Sequence, residues 1–175
     1  MSLLKKIIKT KLALTSRAAA SAQIRREAEL TVRAAEDLGS ELAGTPSTVP
    51  RMPGVDEDMR NWSVLQIIEH NVIVNRVFTE IIDTICQGQV WVSDRDPKKD
   101  VMPSETPSFS IVKEFTESVN QYLVVVEKYP KLRGIGSFPH PVFGQFDAHM
   151  THAMTGFHLW IHRRQADVVV KQLRG

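Results

Sequence analysis

From Ser63 to Cys86 the chain reads SVLQIIEHNVIVNRVFTEIIDTIC, and its apolar residues return every third or fourth position. Ile67, Val74, Val77, Ile81 and Ile85 therefore share one stripe of an α-helix, and His70 lies within that stripe. Ser63 and Gln66 form a capping box, in which each side chain satisfies the other residue's backbone N–H, so the helix has a defined start. A buried helix of this length commits the chain to packing other helices or a sheet against it.

The rest of the sequence supplies helices. A first helical region runs through about Leu42, with Ala20, Ile24, Ala28, Ala35, Leu38 and Leu42 near one stripe, and GTPSTVPRMPG ends it. A further helix opens near Ser108 or Ser110, turns Ile111, Phe115, Val119, Tyr122 and Val126 inward, and stops at Pro130. After the irregular KLRGIGSFPHPVFGQF, Asp147 caps the last helix, whose seam is Met150, Met154, Phe157, Ile161 and Val168. VWVS at 90–93 can be extended, but it is too short and isolated to alter the class. The pattern predicts an all-α four-helix bundle. About twenty aperiodic residues after Cys86 exceed the usual two to eight between antiparallel neighbours, which suits a crossover from one end of the bundle to the other.

A chain of 175 residues fits one domain and can bury its own core. The expected division is a basic amphipathic extension over 1–20 and the bundle over 21–175. Lys5, Lys6, Lys9, Lys11, Arg17, Arg25 and Arg26 precede the first acid, Glu27, and Leu3, Leu4, Ile7, Ile8 and Leu12 recur near helical spacing. That start reads either as a helix packed on the domain or a partner, or as a membrane-surface or transit segment. Lysines interrupt any signal-peptide core, and no apolar run reaches the length of a membrane span. A net charge of +2 gives no argument for a nucleic-acid partner. The lone Cys86 excludes an internal disulfide and fits a reducing, cytoplasmic setting.

The chemistry-bearing stretch is GFHLWIHRRQ, where His158 and His162 stand four residues apart. Residues at that spacing lie about 40° apart on one helical face, so both imidazoles can approach one ion. The pair lacks the internal glutamate of HExxH, which removes the zinc-protease reading. His70 offers a third imidazole from another helix. Three histidines leave coordination positions open, the pattern of a catalytic rather than a structural centre. Imidazole suits zinc, nickel, iron or copper alike. A di-iron bundle would need inward carboxylates that this sequence lacks. His149 and His152 lie about 180° and 120° around the helix from His158, as expected of first-turn surface residues. His140 stands in a loop that can reach the mouth of the bundle. Glu69 lies about 100° from His70, off the metal-facing side. Cys86, about four turns beyond His70, is a poor candidate nucleophile.

These residues resemble a family. NWSVLQIIEHN is similar to the WS-x-x-E-x-x-x-H signature of DinB/YfiT-like proteins, and HPVFGQFDAHMTHAMTGFHLWIHRRQ to their HP-x-FG loop and helix-borne HxxxHxxQ. The resemblance spans roughly 21–173. It implies a four-helix bundle with crossover connections, a homodimer, and a divalent metal, nickel or zinc, on His70, His158 and His162. It also implies thiol S-transfer with a low-molecular-weight thiol, or other small-molecule chemistry. Two features depart from the pattern: Gln66 stands where the family's acid often does, and residues 1–20 have no counterpart. The expected function is a metal-dependent transferase or hydrolase with no assigned general base. The alternative is a non-catalytic helical module whose histidines are core residues or a vestigial site.

Overall fold

The computed structural model describes residues 3–92, 94, 96 and 98–175. Its helices are α1 (Leu3–Leu14), α2 (Arg17–Ala43), α3 (Val64–Cys86), α4 (Ile111–Glu127) and α5 (Ala148–Arg174), with a short 3-10 turn over Glu57–Met59. A two-stranded antiparallel hairpin, β1 (Phe138–His140) and β2 (Gly144–Phe146), precedes α5 and pairs Phe138 with Phe146. Among the described residues the protein is all-α apart from this hairpin, which the sequence pattern left as irregular chain. Val90, Trp91 and Val92 lie outside any strand; Ser93, the last residue of the expected extended stretch, falls outside the described residues.

Cross-helix contacts fix the directions of the four long helices. Gly156 packs on Ala20 and Ile24, Arg163 pairs with Glu27, and Arg174 pairs with Asp37, so α2 and α5 run parallel. Arg76 pairs with Glu114, Asn75 donates to Ser118, and the Tyr129 hydroxyl donates to Asp83, so α3 and α4 are parallel too. Trp62 lies on His162 while Phe78 meets His158, making α3 antiparallel to α5. Parallel α3 and α4 require the connection 87–110 to travel back along the helices, as its length predicted. A helix the length of α3 is about 34 Å long, within reach of an extended connection of that size.

The helix starts obey their caps. Ser63 Oγ accepts from Gln66 N at 3.1 Å while Gln66 Oε1 accepts from Ser63 N at 2.9 Å. Asp147 Oδ1 accepts from Met150 N at 2.8 Å. The first helical region differs from the expected single run. Ser16, capping Ala19 N at 3.1 Å, opens a new helix and leaves α1 separate. Within α2, Gly39 takes φ 71° and ψ 170° and breaks the helical path. The last turn therefore points differently: Leu42 is 42 % exposed and Ala43 is buried instead.

α5 also corrects its expected seam. Met154 and Ile161 are buried, but Met150, Phe157 and Val168 are only partly so. Fully or nearly buried instead are His149, Thr151, His152, Thr155, His162 and Gln165. α5 touches α1, α2, α3 and β2, so little of its circumference faces water. That is why His149 and His152, expected on the surface, lie inside. Arg133 Nη2 donates to His149 Nε2 at 2.7 Å and to Ala13 O at 2.9 Å. His152 lies between Ser21 Oγ, 3.0 Å from its Nε2, and the Tyr122 hydroxyl, 3.1 Å from its Nδ1. The Thr155 hydroxyl in turn donates to Tyr122 Oη at 3.0 Å. Buried polar groups persist where each finds a partner, and these do.

Candidate metal centre

His70 sits two turns into α3, where the first turns of that helix hold the returning crossover. Gln66 Nε2 donates to the carbonyls of Ser104 and Glu105 at 3.2 and 3.3 Å. Glu69 Oε2 accepts from Ser104 N at 2.7 Å and from its hydroxyl at 2.8 Å. Glu69 is thus an anchor for the crossover and stands off the histidine cluster, on the side its helical position predicted. The third tie is His70 itself, 2.7 Å from Val101 O through Nδ1. A carbonyl only accepts, so Nδ1 carries the proton and Nε2 keeps its lone pair.

The second helix repeats this arrangement. Gln165 Nε2 donates to Met59 O at 2.7 Å, which leaves its Oε1 to accept from His162 Nδ1 at 2.9 Å. With Nδ1 protonated, the neutral His162 ring likewise keeps its lone pair on Nε2. His158, one turn earlier, has Nε2 at 3.2 Å from His70 Nε2, while its Nδ1 is buried with no hydrogen-bond partner. The three rings converge, with centroids 5.2 Å apart for His70 and His158, 4.6 Å for His70 and His162, and 4.5 Å for His158 and His162. One ligand atom from each lies within 4.8 Å of the other two. A tetrahedral ion with metal–nitrogen distances of about 2.0–2.1 Å holds its ligand nitrogens about 3.3 Å apart. The 3.2 Å pair already meets that spacing.

Burial keeps these imidazoles neutral, the form that binds metal. It lowers His70 to about 4 against the opposing hydrogen bond to Val101. It lowers His162 to about 3, helped by His70 and opposed by Gln165. His158 falls well below the ordinary range through burial, then through the neighbouring His162, His70 and His140. Trp62 covers the cluster from the start of α3, 5.2 Å from the His70 ring and 6.4 Å from that of His162. Phe78 meets His158 edge-on at 6.3 Å. The site is therefore a nitrogen-only donor set, with His70 and His162 buried and His158 half-buried, and an ion fits it on spacing. The unpartnered His158 nitrogen is Nδ1, on the other side of the ring from the Nε2 that meets that spacing.

The other expected residues stand elsewhere. His140 is on β1 among Phe138, Phe143 and Phe146, with Nδ1 accepting from Val142 N at 3.1 Å. Burial takes it to about 4, and it is near enough for its charge to act on His158, but it is outside the three-histidine cluster. Cys86 ends α3, about 24 Å along the helix axis from His70. Burial, then Asp83, raises its thiol to about 11, against the pull of Arg17, so it is protonated and inert at neutral pH. Two surface clefts of about 560 and 290 Å³ are lined by other residues, the first by α2 and the end of α5, the second by α3 and Asp100.

Sequence reasoning passed over Trp62, Val101 and the role of Gln165. Gln165 was legible as the i+3 neighbour of His162. Val101 was not, since a carbonyl on a crossover has no sequence signature. Comparison of the chain with protein-family models, with curated proteins and with solved structures finds no match.

Proposed function

We propose that the protein is a divalent-metal-dependent enzyme of the DinB-like type, a four-helix bundle that holds nickel or zinc on His70, His158 and His162 and acts on a small molecule. One observation carries the reading: three neutral imidazoles from two helices offer ligand atoms within 4.8 Å of one another. The resemblance adds thiol S-transfer or other small-molecule chemistry and a homodimer. A metal-activated water makes hydrolysis the other option, and the lone Cys86 fits a cytoplasmic setting. A divalent ion in that seat supplies Lewis acidity toward a water or a thiol.

The chain's own contribution is orientation. Val101 and Gln165 hold the Nδ1 protons of His70 and His162, fixing the tautomers and leaving both Nε2 lone pairs free, that of His70 facing His158. Trp62 and Phe78 pack apolar rings against His70 and His158, which lowers the local polarity and strengthens electrostatic interactions there. No residue is assigned as general base.

The competing reading is a non-catalytic helical module with the histidines as core residues. Its support is the 3.2 Å contact of His70 and His158, which a proton on His158 Nε2 satisfies without an ion. The two readings part in one experiment. Protein stripped by chelator and reloaded with nickel or zinc is offered glutathione and other small thiols with an electrophilic substrate. Turnover restored by reloading and lost in His158→Ala supports the enzyme. No turnover in reloaded protein supports the module, and turnover indifferent to stripping would contradict both readings.

A further inference from the structure

α1 carries two apolar faces, and only one of them is used by the fold. Leu12 is 3 % exposed and Ile8 packs beside it against the core. On the far side Leu3 and Leu14 are 75 % and 77 % exposed, and Leu4 and Ile7 are exposed as well. At about 100° per residue, Leu3, Ile7 and Leu14 fall within about 40° of one another, Leu4 adjoins them, and Leu12 lies opposite. Lys6 and Lys11, both exposed, flank this outward stripe. The helix is held in this attitude from below: Lys9 Nζ donates to Phe143 O and Gln145 O, each at 3.1 Å, and Arg133 donates to Ala13 O. The hairpin that Lys9 grips also presents Val142, 48 % exposed.

We infer that the outward face of α1 is a docking surface for an anionic phospholipid membrane. A contiguous stripe of large apolar side chains rimmed by lysines, with no acid on the helix, matches a bilayer interface, where apolar groups enter the acyl boundary and cations meet phosphate. A second copy of the chain is the weaker occupant on charge grounds. A two-fold contact through this face would set Lys6 and Lys11 of one protomer against the same lysines of the other. Among the described residues no helix is long and apolar enough to cross a membrane, so the contact is one of lying on the surface.

The test is cosedimentation of the full chain with vesicles of phosphatidylcholine alone or mixed equally with phosphatidylglycerol, across a range of salt. The expected result is binding to the anionic vesicles only, weakening as salt rises. Lys6→Ser and Lys11→Ser should each lower partitioning about five-fold. Ile7→Asn with Leu14→Asn should lower it about ten-fold or more, with helical circular dichroism and metal content unchanged. Because those side chains already face water, an intact fold in the double variant separates lost docking from lost structure. Failure of the wild type to cosediment, equal binding to neutral vesicles, or indifference to Ile7→Asn with Leu14→Asn would each overturn the inference. So would a lipid-free dimer that this double substitution dissociates. None of these outcomes bears on the histidine cluster, whose metal is read separately.

Discussion

At the residue scale the site depends on who holds each imidazole proton. Gln165 is fully buried and serves two partners, Met59 O and His162 Nδ1. Gln165→Leu should lower metal affinity about 10–100-fold, because His162 then loses the partner that sets its tautomer. Competition against a chromogenic chelator measures this; an unchanged affinity would mean that packing alone orients the ring. His152 carries a separate consequence. Burial lowers it to about 4, with Arg17 and His149 also facing it. Above the ordinary histidine value of about 6.5 it is neutral whether folded or unfolded. Below that value the unfolded chain takes up the proton and the native chain does not, so stability falls as pH drops toward 4. Between pH 7 and 5 this single group should cost about 2 kcal/mol. Urea titrations at the two pH values, compared with those of His152→Gln, check the slope; a variant as acid-sensitive as the parent would assign the effect to other groups.

At the element scale the helices were legible wherever a side chain caps them or a stripe repeats. Ser63, Asp147 and the inward set Ile111, Phe115, Val119, Tyr122 and Val126 appear where their spacing places them. What failed to read was context. The separation of α1 from α2 depends on Ser16 competing locally for a backbone N–H, and the Gly39 break on a backbone conformation that leaves no apolar trace. The seam of α5 was misplaced because that helix has neighbours on several sides and buries hydroxyls and imidazoles whose partners lie on α2 and α4. The convergence of the three histidines was legible because two share the i, i+4 spacing on α5 and the third stands in the inward stripe of α3, whereas the crossover's grip on His70 comes from a backbone carbonyl that any residue could supply. Gly136 shows the kind of contact no periodicity reports. At φ 60° a Cβ there would stand 2.5 Å from Ile85 Cβ and 2.7 Å from Ile85 O. Gly134, at φ 71°, has nothing within 4 Å. Gly134→Ala should therefore cost about 1 kcal/mol for its conformation alone. Gly136→Ala should cost about 1–3 kcal/mol more, through the collision with the end of α3. Chemical denaturation ranks the two, and equal losses would mean that the hairpin shifts freely away from α3.

For the whole molecule, the histidine cluster joins α3 to α5 and, through Val101, joins both to the crossover. An ion bound there ties distant parts of the chain in the native state only, so it should stabilise the fold. At a free concentration about 100 times its dissociation constant the gain is about 2.7 kcal/mol. For a chain of this size that raises the melting temperature by about 5–10 °C. A chelator should reverse the shift, and a melting temperature indifferent to zinc or nickel would separate the cluster from metal altogether. The stoichiometry of bound metal settles the matter with one number per variant. Elemental analysis of protein purified without chelator should find about one nickel or zinc ion per chain, falling to a small fraction in His70→Ala, His158→Ala and His162→Ala alike. Metal-free parent protein, or full occupancy retained in any of the three variants, would contradict the assignment of these imidazoles as a shared ligand set.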